Sequence, residues 1–118
     1  MSTVEIALRN DEYRLLSHGL FQWNGPASVS DPVALFVSYP SAEAMEKDLP
    51  RLSKLLDEGA MEPRDWWRVL LTTEIAFVSD MYGVGVDWST VTPFRDDESV
   101  EILRSIQRKV AKAIGYRE

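Results

Sequence analysis

The chain has 118 residues, 45% of them hydrophobic and 27% charged; this suits one globular core, is too short for two independent ones, and is unlike a disordered chain. It contains no cysteine, which excludes disulfides, thiolate catalysis and thiolate metal sites. Nineteen acids against thirteen Lys and Arg leave a formal charge of −6, which argues against general nucleic-acid binding and makes a basic partner the easier match.

No apolar run approaches the roughly 18–20 residues that a membrane span needs. The opening MSTVEIALRNDEY carries acids where a signal peptide needs bases, so a soluble cytoplasmic protein with no membrane contact is expected. Val4, Ile6 and Leu8 alternate with Glu5, Ala7 and Arg9, the two-residue period of a half-buried strand over 3–9. Asn10 or Asp11 then suits the N-cap of a helix carrying Tyr13, Leu16, Leu20 and Trp23 on one face. Gly19 weakens that helix, and Asn24-Gly25-Pro26 ends it.

ASVSDP, residues 27–32, reads as a polar loop, and the β-branched and aromatic run VALFVSY reads as a buried strand over 33–39. Ser41 opens a second helix with the stripe Met45, Leu49, Leu52 and Leu56, closed by Gly59. Pro50 within it predicts a kink, or a fresh start capped by Asp48.

RDWWRVLLTTEIAFVSDMYG, residues 64–83, reads as a long helix entered through Pro63 and left at Gly83. With Trp66 at zero and about 100° per residue, Phe77, Leu70, Met81, Trp67, Val78 and Leu71 span about 20° to 140°, with Glu74 at about 80° among them. The opposite arc, Asp65, Arg68, Thr72, Thr73, Ala76, Ser79 and Asp80, is the expected solvent side. A carboxylate in apolar surroundings needs a cation, a donor or a proton. Glu74, with Trp66 and Trp67, is therefore expected to form a buried polar anchor bonded to an indole, a tyrosine, His18 or an arginine. The alternatives are a carboxylate at the base of a tryptophan-lined pocket, and one facing a partner's base.

GVGVDWSTVT follows, a third strand over 85–92 or an extended loop. Asp96 and Asp97 then begin a last helix with the stripe Ile102, Leu103, Ile106, Val110 and Ile114, acids at its positive end and bases later. The order β-α-β-α-α-β-α predicts a single α+β domain over 1–118, a sheet of two or three strands packed with about four helices.

No catalytic signature is complete. His18 is the only histidine and no G-x-S-x-G occurs; Glu74, Asp80 and Asp87 lack EF-hand grammar; G-V-G lacks the further glycine of a phosphate cradle. No catalytic residue, metal or cofactor is assigned. From Asp57 to Glu101, however, eleven acids stand against three bases. Trp88 lies in that stretch with Asp80, Asp87, Arg95, Asp96 and Asp97, an anchor-and-rim composition for a partner-binding surface, the other reading being a core-facing tryptophan. The leading expectation is a non-enzymatic acidic binding module, of immunity or inhibitor type, that blocks a basic protein such as a toxin or nuclease. Two others stand beside it: a small-molecule-binding protein or small enzyme built on Glu74, and a homodimeric regulatory or scaffold protein.

Overall fold

A computed structural model describes residues 2–25 and 27–115; Pro26, expected to help end the first helix, lies outside them. Six α-helices and one two-stranded sheet form among these residues. The fold is broadly α+β, but helix dominates and the sheet is minimal. Strand β1 (Val4–Glu5) pairs antiparallel with β2 (Ala60–Met61), Val4 opposite Met61 and Glu5 opposite Ala60. The expected strand over 3–9 shrinks to two paired residues because the chain turns into helix at Asn10. The Trp66 indole N–H donates to the Val4 carbonyl at 2.7 Å and fastens this short ribbon to the core.

Helix α1 (Asn10–Phe21) is capped by Arg9 rather than by Asn10 or Asp11, the Arg9 backbone N–H donating to Glu12 Oε1 at 2.8 Å. Helix α2 (Asp31–Phe36) stands where a strand was expected. Ser30-Asp31-Pro32 is a helix entry, not loop filler: Ser30 Oγ accepts from Val33 N–H and Pro32 fits the first turn. Val33, Ala34 and Val37 are buried while Leu35 and Phe36 face solvent, a helical division of an almost wholly apolar run. Ser38, at φ 72°, ends α2 in the left-handed region.

Helix α3 (Ala42–Glu58) keeps its expected start at Ser41, its stripe Met45, Leu49, Leu52 and Leu56, and its end at Gly59 with φ 76°. It runs on through Pro50, which lies on the exposed side, and Asp48 pairs with Arg51 instead of capping a new helix.

Helix α4 (Pro63–Val78) is turned differently from its expected orientation. Asp65, Thr72, Thr73 and Ala76, all read as solvent-facing, are buried with Trp66 and Val69. Val78 and Met81, read as apolar face, are exposed. The reason lies in α1: a Cβ on Gly19 would come within 2.3 Å of Thr73 Oγ1, so the two helices approach closely where both carry small groups. The Thr72 and Thr73 hydroxyls both donate to the Val69 carbonyl at 3.0 Å, so they enter the core without unmet polarity. Asp65 is buried too, accepting two 2.9 Å bonds from Arg51. Arg68 stacks over Tyr39, 3.9 Å from the ring centroid, and donates to the carbonyls of Val37 and Ser38 at the end of α2.

The expected strand over 85–92 is a 3-10 turn (Gly85–Asp87) followed by a short helix, α5 (Trp88–Val91). Helix α6 (Asp96–Ile114) completes the fold and buries Ile102, Leu103, Ile106 and Val110. No helix among the described residues is long and apolar enough to cross a membrane.

Candidate interaction surface

Helix α4 stops at Val78, not at Gly83, and the chain folds back on its end. Tyr82 N–H donates to Ser79 Oγ at 2.9 Å, Gly83 N–H to the Ser79 carbonyl at 3.0 Å, and Val84 N–H to the Ala76 carbonyl at 2.8 Å. Asp80 Oδ1 then accepts the Val86 N–H at 2.7 Å. Two glycines make this possible. A Cβ on Gly83 would lie 2.2 Å from the Ile75 carbonyl oxygen, and one on Gly85, at φ 48°, would lie 1.8 Å from Asp80 Oδ1. Gly83 thus serves close packing against the last turn of α4, and the left-handed turn falls at Gly85.

The braced segment presents Val78, Met81 and Val86 to solvent at 70%, 80% and 75% exposure, with Tyr82 and Val91 exposed less. Beside them is a depression of about 440 Å³ whose walls include Asp80, Asp87, Val86 and Val91. Asp80 and Asp87, expected to act together, do share a surface. Asp80 is also structural, since its carboxylate holds the turn.

The other expected partner-binding residues are arranged differently. Trp88 is fully buried: its indole N–H donates to Ser99 Oγ at 2.8 Å, and its ring meets Phe77 edge-on with centroids 5.3 Å apart. It is a core tryptophan that fixes α5 and α6 together, and it is not exposed as an anchor. Arg95 and Asp97 pair with each other at 3.2 Å at the start of α6, where the Arg95 N–H also donates to Glu98 Oε1. Each shifts the other toward its charged form, chiefly through their hydrogen bond. Asp96 is exposed beside them. Sequence reading missed Met81, Tyr82 and Val86 as candidates, because the first two were folded into the helix and the third into a strand.

Glu74 is half-buried and accepts a 2.8 Å hydrogen bond from Gln107 Nε2, a partner on α6 absent from the expected set. Trp66 is in the core, and Trp67 is half-buried beside Glu74 in a groove between α4 and α6. Among the described residues the carboxylates that are buried are instead Asp65 and, with no exposure at all, Glu12. Glu12 receives Lys109 Nζ at 2.6 Å, Ser105 Oγ at 2.6 Å, and the Arg9 backbone N–H. Burial alone would raise its pKa, but the bonds from Lys109, Ser105 and Arg9, with the Lys109 charge, hold it below the ordinary carboxylate value. A signal for it was present in the sequence: Glu12 stands three residues after the residue that precedes the helix, the second half of a capping box.

His18 lies edge-on to Phe94 with ring centroids 5.9 Å apart, and its pKa is lowered by burial and then by the Arg14 charge. No nucleophile–base pair involves it among the hydrogen bonds of the described residues, nor do three His, Asp or Glu of those residues converge as a metal-binding group. Comparison of the chain with protein-family models, curated proteins and solved structures finds no match.

Proposed function

We propose that this protein is a non-enzymatic binding module that docks a basic protein partner through the segment of residues 78–91, from the end of α4 to the end of α5. The observation that supports this reading is the set of exposed apolar side chains, Val78 at the end of α4, Val91 at the end of α5, and Met81, Tyr82 and Val86 on the connection between them, which is braced by Ser79, Asp80, Gly83 and Gly85. Single exposed aliphatic residues are ordinary, but several along one short segment form the kind of patch that partners cover. Bracing lowers the ordering cost of binding, because the loop is already held in one shape.

Charge favours a basic partner. From Val78 to Phe94 the chain holds Asp80 and Asp87, both beside the exposed apolar residues, and no Lys or Arg. Acids around an apolar ridge speed encounter with a positively charged cleft and discourage acidic competitors, while the ridge supplies the buried contact. The narrower form of this reading is an inhibitor or immunity-type protein that covers the cleft of a toxin or nuclease. Trp88 has no direct part in it.

The test compares immobilised wild-type protein with the double variant Met81→Ser, Val86→Ser in extract from the producing cells, washed at low and at about 0.5 M salt, where surface charges are screened. A protein of high isoelectric point should be retained by wild type, released by salt and not retained by the variant. Equal retention on both columns, or a salt-insensitive doubling of mass in light scattering that the variant abolishes, would replace this reading with a different surface or with a homodimer.

A further inference from the structure

At a place separate from that loop, we propose that the groove between α4 and α6 binds small amphipathic amines, a cationic head at Glu74 and an apolar body along the helices. The groove holds about 270 Å³, just below the usual range for drug-sized ligands and so suited to a smaller one. Its walls are two stripes with the same helical spacing: Trp67, Leu70, Leu71 and Glu74 on α4, and Gln107, Val110, Ala111 and Ile114 on α6.

The helices run antiparallel. Phe77 near the end of α4 meets Trp88, which bonds Ser99 near the start of α6, and one turn earlier along α4 Glu74 bonds Gln107, two turns further along α6. The polar pair Glu74–Gln107 therefore closes one end of the groove, and Trp67 and Ile114 lie at the other. Seven residues of helix make the apolar stretch about 10 Å long, the length of a six-carbon chain with its head group.

Chemistry selects the head group. Gln107 donates to Glu74 Oε2, and Oε1 accepts no hydrogen bond among the described residues. No Lys or Arg of those residues forms an ion pair with Glu74. A half-buried carboxylate facing an apolar channel favours a cation with donors over a neutral alcohol, and repels an anion. Trp67 adds an aromatic face for the body of the ligand.

The experiment titrates hexylamine, hexanol and hexanoate into the full chain, following backbone amide NMR shifts of Leu70, Glu74, Gln107 and Ala111. Hexylamine should saturate these shifts with at least about tenfold tighter binding than hexanol, and hexanoate should not bind. Glu74→Gln should remove the preference for the amine while leaving weak binding of hexanol. Ala111→Leu, which narrows the groove and keeps the carboxylate, should weaken both. Equal affinity for amine and alcohol, no saturable shift, or an amine preference that survives Glu74→Gln would overturn the proposal. Circular dichroism of both variants confirms that a loss comes from the groove and not from unfolding.

Discussion

Glu12 Oε1 lies 2.6 Å from Lys109 Nζ, joining α1 to α6 across ninety-seven positions of sequence. The carboxylate has no solvent exposure, and Lys109 also donates to the Ala7 carbonyl at 3.0 Å, so one ammonium ties together the first segment, the first helix and the last.

Removing the ammonium strands a buried charge. Lys109→Met is expected to destabilise the fold by about 2–3 kcal/mol, below the cost of breaking a fully enclosed pair, because Lys109 is partly exposed and Arg9 remains near Glu12. Urea unfolding monitored by tryptophan fluorescence measures this. A change within about 0.5 kcal/mol would mean that the pair contributes no more than a surface bridge.

The same contact sets a pH dependence. The Glu12 carboxyl is lowered from the ordinary value of 4.5, so its contribution is fully present above that value and is lost as pH falls through the lower folded value. Asp48, also lowered against the effect of burial by Arg51 and Tyr39, acts in the same direction. Unfolding free energy should fall slightly as pH drops below about 6.5, where the unfolded chain protonates His18 more readily than the folded one, and more steeply below about 5 as the Glu12 and Asp48 contributions are lost. Glu12→Gln should be less stable at neutral pH and show a shallower acid decline; an unchanged slope would remove Glu12 from the account.

Gly19 is required by its neighbour. In an exposed helix Ala would be favoured over Gly by about 1 kcal/mol. Here the added Cβ would lie 2.3 Å from Thr73 Oγ1, so Gly19→Ala is expected to destabilise by about 1–3 kcal/mol. Thr73→Ala in the same chain should restore only part of this, because Thr73 Cβ itself would be 2.7 Å away. Thermal unfolding of both variants checks the order.

The loop brace can be loosened without opening the core. Asp80→Ala frees the Val86 N–H and should cost no more than about 1 kcal/mol globally, since the group is exposed. Amide hydrogen exchange at Val86 should accelerate well beyond that of Val69 in α4. Parallel changes at both sites would show that the loop and the helix open as one unit.

Elements whose signal is local were legible in the sequence. Helix α3 is one: Ser41, the four-residue stripe and Gly59 are each a contact of the chain with itself or a one-sided apolar face. The start of α6 and the small, cysteine-free α+β composition are others. The α2 segment misled because an apolar run is compatible with a buried strand or a short helix, and the deciding cap at Ser30 was read as loop.

The candidate surface was legible only in part. Its charge pattern and Asp80 with Asp87 could be read from the sequence, but whether Trp88 or Met81 faces water depends on where the loop folds. For α4, hydrophobicity alone found only part of the buried surface: Trp66, Trp67, Leu70, Leu71 and Phe77 do pack on the core, but so does the opposite arc of Asp65, Thr72, Thr73 and Ala76. Which side of a helix is buried depends on what packs against it, and Gly19 brings α1 so close that Thr73 fits there and larger side chains do not. Sequence by itself determined the helical segments with strong caps, the acidic balance and the absence of thiol chemistry. Only the tertiary structure decided that Glu12 is fully enclosed while Glu74 is half-buried, because the partners of Glu12, Ser105 and Lys109, lie more than ninety residues away.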